Sequence, residues 1–501
     1  MTRLDATVRE LWMDKAAAII KEKGLSSEEL RQEFSRIYFP WDTTYNNYRF
    51  MYKLQIQELP LFVIVPCNKN EICKLLCLAY IKKLTMRIIS GRHSSNIQNS
   101  DLYVDMSLFN KIHVDEDILV AGGGINQGKI YQYLFDNNHT YHFAHGAKIG
   151  HPLFSHSVSR LLENSANELA FGGGSAGSVC ISGLTSCGGV GSFRRTLGLA
   201  IDSVISYEIV VPPNKSCPKP TILCATSETN SDLFWALSGG SCANFGIITD
   251  ITYKLPTIGR IVMYSISWPW IQAKEVLTLW LNTSPLRPSA YNEDISMFSY
   301  PGSLGIELGG LYVIPGDQTD EQAVQTVEAE MAIYGCTLKT RIVTYPEAVE
   351  SLSSGRVYYP FSATQIYFSS NIVDVDFVIG MMDAAQKING LCLFGIELLG
   401  GKISEVPPSG TAFYPRNANF FYDLFAYCAS SLDVGDITAW VKTTFDVIYN
   451  PKTDNVFVAF PIPKLENHLD AYYGKNKNRL IGIKHKYDTY GVMNYPQGIN
   501  I

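Results

Sequence analysis

Phe171 to Ser203 reads FGGGSAGSVCISGLTSCGGVGSFRRTLGLAIDS. Glycine recurs through the whole run, and small residues fill most of the gaps. The stretch is too apolar and too interrupted for a disordered linker. A long Gly-rich run inside a globular chain marks backbone packed against something large. Phosphate is a common reason, because side chains would block the approach of backbone N–H groups to an anion. The plainer alternative is a loop that needs many unusual dihedrals. The ligand-cradle reading is preferred, and the rest of the chain is read outward from it.

Upstream, Leu4, Val8, Leu11 and Ala16 give helical spacing over 4–22, and Gly24 ends that helix. Ser26 and Glu29 form a capping box for a second helix through Phe34. Residues 38–50 read as irregular. From Leu61 the pattern becomes α/β: LFVIV, MRIIS, LYVDM and ILVAGG are strands. Asn70 is read as the cap of a helix from Glu71 to Lys83, and KIYQYLFDNN as another helix. Downstream, VISYEIVVP and TILCAT are strands, Ser231 caps the helix DLFWALSG, and NFGIITDITYKLP is a strand pair. From Leu255 the pattern changes to alternation, with Val262, Tyr264, Ile266 and Trp268 on one face. Strands over 295–316 and at GLCLFGIELLGG, with helices from the Thr319/Gln322 capping box and from Asp374, suggest a largely antiparallel sheet with helices on one face. A last helix, DITAWVKTTFDVI, precedes the strand NVFVAF.

The 501 residues imply two or more domains, and 46% hydrophobic with 18% charged residues fits a large core. A net charge of −6 argues against a nucleic-acid binder. No run approaches transmembrane length and no signal-peptide core occurs, so no membrane partner is expected and an intracellular location is favoured. The eleven Cys include no CxxC pair, which disfavours a disulfide framework and a zinc knuckle. Five of the nine His fall at 139, 142, 145, 151 and 156, yet their spacing matches no metal motif, and a solvated loop before a helix at 157–169 is the favoured reading. Gly122, Gly124 and Gly128 lie between a strand and a helix as GxGxxxG. No Asp or Glu ends the next strand to hold a ribose, so they are read as a tight turn and NAD is rejected.

Three segments occur in order: MRIISGRHSSNIQNSDLYVDMSLFNKI, the Gly-rich run, and LFWALSGGSCANFGI. Together they resemble the FAD-binding domain of the vanillyl-alcohol-oxidase superfamily, of the PCMH type. The tail YYGKNKNRLIGIKHKYDTYGVMNYPQGI and the segment GGKISEVPPSGTAFYPR resemble its berberine-bridge-enzyme-like branch. The resemblance covers about 55–256 and 395–501. It implies an α+β fold: an FAD-binding domain of two α/β subdomains, plus a substrate domain whose antiparallel sheet is covered by helices. The implied divisions are an N-terminal helical extension at 1–54, the FAD-binding domain at 55–256, the substrate-binding domain at 257–465, and a C-terminal segment at 466–501 that returns to the FAD-binding domain.

The resemblance also implies site residues. Ser90, Gly91, Arg92, His93 and Ser94 stand where the family wraps the FAD pyrophosphate, and His93 at the position bonded to the flavin 8α-methyl carbon. Arg92 replaces a frequent Gly, and its guanidinium is expected either to pair with pyrophosphate or to point to solvent. Ala176 stands where many members carry a second, cysteinyl link, so a single link through His93 is expected; a shifted loop bringing Cys180 or Cys187 to the flavin is the alternative. Gly177, Ser178, Ser182, Gly183, Gly188 and Gly189 are expected in the cradle. Ile247 and Ile248 match flavin-contacting positions, and Asn476 and Asn494 match positions near the isoalloxazine ring.

The catalytic base is less plain. A Tyr that sugar oxidases of the family carry is here Phe460, and another is Ser95. Tyr367 and Tyr422, on substrate-domain strands, are the candidate base or positioning hydroxyls. The expected activity is an FAD-linked oxidase of a hydroxylated small molecule, a sugar, alcohol or alkaloid-like amine, with molecular oxygen as the electron acceptor. A flavin dehydrogenase and a catalytically silent FAD-binding protein are the alternatives.

Overall fold

The computed structural model describes residues 6–53, 55–94, 98–143, 168–174, 176–335, 337–352 and 360–501. Two helices, Ala6–Glu22 and Ser27–Glu33, open the chain, and the Ser26 hydroxyl accepts the Glu29 N–H as the capping reading requires. Their apolar residues Ala16, Ile20, Leu30 and Phe34 share a core with a four-stranded sheet. That sheet runs in the order Ile37–Tyr38, Phe62–Ile64, Leu102–Asp105, Met86–Ile89; its last three strands are parallel. Helix Lys69–Lys82 is capped by Asn68, not Asn70, because the Asn68 side chain is the one that reaches the Glu71 N–H. The region 38–50 is not wholly irregular: Tyr45–Arg49 is a short helix.

A second sheet, wholly antiparallel, has the order Ile112–Asp115, Ile118–Gly122, Ile247–Lys254, Val204–Val211, Thr221–Ala225. The segment read as a strand pair holds a single strand, Ile247–Lys254; the strand after it, Thr257–Ile258, pairs with Glu168–Leu169.

The third sheet has eight antiparallel strands, in the order Lys339–Val343, Ile261–Trp268, Ser303–Val313, Tyr291–Tyr300, Leu391–Leu398, Phe420–Cys428, Phe361–Ser369, Asn455–Val456. The alternation at Val262, Tyr264, Ile266 and Trp268 is the buried face of one of these strands. Helices Ala273–Thr283, Asp320–Met331, Val375–Ala385 and Val434–Ile448 pack on that face and share its core. The first of them goes unread above, although Val276, Leu277, Trp280 and Leu281 carry a helical period and are buried. NVFVAF contributes only Asn455–Val456 as strand. The fold is α+β. Among the described residues no helix is long and apolar enough to cross a membrane.

His145, His151, His156, Ser95 and most of the helix expected at 157–169 lie outside the described residues.

Candidate active site

The loop that follows strand Met86–Ile89 lies directly against the Gly-rich run. A Cβ on Gly91 would sit 2.7 Å from the Cys180 backbone nitrogen and 3.3 Å from the Ser178 carbonyl oxygen, so only glycine lets the two segments approach this closely. The Ser90 and Ser182 hydroxyls are 3.4 Å apart. His93 Nε2 lies 3.0 Å from Ser178 Oγ. Ser94 is exposed beside it. The Gly-rich run is fastened from behind by the 122–128 turn: Gly128 N–H donates to Gly177 O at 2.8 Å, and Gln127 N–H to Val179 O at 2.9 Å. Gly122 and Gly124 are there for close packing, since a Cβ on either would strike the Phe109 or Met106 carbonyl. At Gly183 a Cβ would meet nothing within 4 Å, so helix Ile181–Ser186 presents an open face. The structure thus brings Ser90, Gly91, His93, Ser178 and Ser182 together, with Gly183 exposed on the helix that carries Ser182. Such a gathering of glycines and small hydroxyls suits a dinucleotide pyrophosphate, which takes backbone and hydroxyl donors.

Other candidate positions are spent elsewhere. The Arg92 guanidinium neither meets these residues nor points to solvent. It pairs with Asp105 and donates to the Tyr48 and Phe50 carbonyls, both at 2.8 Å. Gly188 and Gly189 have φ of +119° and +74°, and a Cβ on them would strike the Phe413 ring and Ala200 respectively, so both positions answer to turn conformation and close packing. Ile247 and Ile248 are buried in two different cores. Asn476 Nδ2 donates to the carbonyls of Pro408 and Thr411, at 2.7 and 3.1 Å, which commits that side chain to holding a loop. Asn494 Nδ2 donates to Ile501 O within the tail itself. Cys180 donates to Gly124 O, and burial pushes its thiol up to about 11 and that of Cys187 to about 12. Neither is a ready thiolate.

Tyr367 and Tyr422 are misassigned above. They are cross-strand neighbours, stacked with ring centroids 5.0 Å apart, and they face the helix-covered side. Tyr367 packs on Phe445 and Tyr449 of helix Val434–Ile448 and its next turn. The Tyr422 hydroxyl donates to Asn371 O at 2.8 Å. Burial raises both phenols far above their usual range, so neither acts as a base near neutrality.

The opposite sheet face is turned toward the Gly-rich run. Its Ile366, Phe368 and Phe421 share a cluster with Cys187 and Phe413. The same face carries Asp294, Glu397 and Asp423 on three adjacent strands. Arg194, from the end of the Gly-rich run, lies among them with its side chain only 1% exposed; it pairs with Asp294 and, at 3.1 Å, with Glu397. Asp294 and Glu397 keep 47% and 26% side-chain exposure, so the face is open. A Cβ on Gly395 would sit 1.9 Å from Asp423 Oδ1, so the carboxylate lies across a glycine. Asp423 Oδ1 has no hydrogen-bond partner among the described residues. Desolvation, reinforced by Asp294 against the pull of Arg194, pushes Asp423 up to about 7. Desolvation likewise lifts Glu397 to about 8, although Arg194 opposes it. The two titrate as parts of one cluster. Phe460, in the place of the missing tyrosine, meets Phe425 of this face at 6.2 Å. These carboxylates were missed because the alternation of FFYDLFAY separates Tyr422 from Asp423 without saying which face meets the Gly-rich run.

Two family models match the chain: "FAD binding domain" over residues 60–150 and "Berberine and berberine like" over residues 456–500. The FAD-linked oxidoreductase YgaK of Bacillus subtilis is 25% identical over 468 residues, which is 91% of this chain and 95% of that one. The chain is similar to berberine bridge enzyme-like FAD-linked oxidoreductases over these stretches and along the length of YgaK. The xylooligosaccharide oxidase of Thermothelomyces thermophilus is 22% identical, over 71% of this chain and 73% of its own. The fold is shared with the solved berberine bridge enzyme-like 1 protein of Physcomitrella patens, at a TM-score of 0.75, 18% identity and coverage of 94% and 98%. The chain is an FAD-dependent oxidoreductase. The glycines and hydroxyls gathered at 90–94 and 177–183 fit that cofactor.

Proposed function

We propose that this enzyme oxidises a hydroxyl-bearing small molecule of the sugar or alcohol class, with Asp423 as the base that takes the hydroxyl proton. Bound FAD supplies the acceptor for the substrate's hydride and, through molecular oxygen, returns to its oxidised form with release of hydrogen peroxide. Ser90, Gly91, Ser178, Ser182 and Gly183 hold its pyrophosphate, and His93 anchors it by one covalent bond at the 8α-methyl carbon.

The observation that carries the reading is the acidic sheet face turned toward the Gly-rich run, where Asp423 has an oxygen without a hydrogen-bond partner among the described residues. A base works best when its proton affinity lies near the working pH, and desolvation brings Asp423 there. Arg194 holds Glu397 and Asp294 in place, which leaves Asp423 as the proton acceptor. The face gains negative charge as Asp423 and Glu397 ionise, which disfavours anionic substrates. The domain divisions at 54, 256 and 465 accompany this reading, with the substrate between the 55–256 and 257–465 portions.

Peroxide release on a panel of neutral oligosaccharides, simple alcohols, amines and uronic acids tests it. Turnover of neutral hydroxylated compounds, lost in Asp423→Asn with flavin still bound, is the expected result. Equal rates in Asp423→Asn, or preference for the uronic acids, overturns it.

A further inference from the structure

His93 is gripped from two sides, and one side comes from outside the cofactor domain expected above. The Tyr52 ring lies 4.5 Å from the imidazole, centroid to centroid, at an interplanar angle of 33°. Tyr52 N–H donates to the Arg92 carbonyl at 3.3 Å. Arg92 itself sits at φ +62°, a conformation that bulky side chains rarely adopt. It is held there by its pairing with Asp105 and its bonds to the Tyr48 and Phe50 carbonyls. The segment 48–52 and the flavin-binding loop are therefore laced together on both sides of Arg92. Beyond it, Gln55 bonds both the N–H and the carbonyl of Ser362, on a strand of the substrate sheet. From the other direction, Ser178 of the Gly-rich run lies at Nε2.

We infer that Tyr52 and Ser178 are positioning residues for covalent attachment of the flavin, with Arg92 as the staple that ties them to one loop. The inference rests on the reading that His93 carries the bond. An imidazole on a loop rotates about two side-chain bonds, and a reaction at one ring nitrogen demands a single orientation. The Tyr52 ring sets the plane. The Ser178 hydroxyl, 3.0 Å from Nε2, fixes the ring's rotation about its side-chain bonds. In the bond-forming step a lone pair on an imidazole nitrogen becomes the new N–C bond to the 8α carbon. One C–H bond there breaks, its proton passes to solvent, and its electron pair reduces the ring system. Molecular oxygen then takes up that pair with two protons to give hydrogen peroxide.

The test uses full-length protein prepared free of flavin, mixed with FAD in air, with acid-precipitated flavin followed over time. Non-covalent FAD binding is measured separately by titration. Wild type acquires acid-stable flavin, and His93→Ala acquires none. Tyr52→Ala and Ser178→Ala bind FAD but attach it about tenfold more slowly or worse. Tyr52→Phe restores the wild-type rate, because the ring and not the hydroxyl makes the contact. Tyr52→Leu, which keeps the bulk, serves if the alanine variant does not fold, and it is also slow. Wild-type attachment rates in the Tyr52 and Ser178 variants, with FAD still bound, overturn the positioning roles while leaving the His93 link intact. Wild type without acid-stable flavin overturns the link, and the positioning roles with it.

Discussion

Tyr422 and Asp423 point to opposite faces of one strand. Tyr422→Phe leaves the Asn371 carbonyl without its donor and is expected to cost about 1–2 kcal/mol in denaturant unfolding, with kcat within twofold of wild type. Tyr367→Phe removes a buried hydroxyl that has no hydrogen-bond partner among the described residues, so stability stays level or rises. Asp423→Asn is expected to lower kcat by about 100-fold or more with flavin content unchanged, as loss of a general base does. The same residue predicts two opposed pH dependences. Wild-type activity rises as the carboxyl ionises through about 7. Stability moves the other way. The folded state holds this proton longer than the unfolded chain, whose carboxyl titrates near 3.8, so stability is lost as pH rises between those values. Thermal melts of Asp423→Asn therefore exceed wild type at pH 8 and match it near pH 4.

At the scale of elements, two glycines set how closely strands and loops approach. Gly91→Ala places a methyl 2.7 Å from the Cys180 nitrogen, where backbone must yield, and is expected to reduce flavin bound per chain after gel filtration. Gly395→Ala drives a methyl into Asp423 Oδ1 and is expected to lower kcat while leaving flavin bound. The period of the chain foretold most of these elements. The one-sided cap at Ser26, the reciprocal capping box at Thr319 and the alternation at 262–268 are local signals, carried by neighbours in the sequence. Helix Ala273–Thr283 shows that such a signal is readable even where it was passed over. The fate of Arg92 was not readable, because Asp105 and the Tyr48 and Phe50 carbonyls come from elements that only folding brings together.

Over the whole molecule, the C-terminal segment locks onto distant chain through a buried pair. Lys484 and Asp488 have no side-chain exposure, and Lys484 Nζ also donates to Asn244 O at 2.8 Å. Asp488 accepts in turn from the Val492 and Met493 N–H groups. Lys484→Met leaves that carboxylate buried without its cation and is expected to cost about 3–5 kcal/mol, measured by urea unfolding. The sequence by itself determined that the chain would build α/β layers, a helix-backed antiparallel sheet, and a glycine-rich run where backbone packs closely. Those features follow from periodicity and from the absence of side chains, both of which are local. Only the tertiary structure decided which sheet face meets the Gly-rich run, and with it the burial of Tyr367 and Tyr422 under helices and the contact of Tyr52 with His93. Strand alternation sorts residues into two faces but leaves the faces equivalent until helices cover one of them.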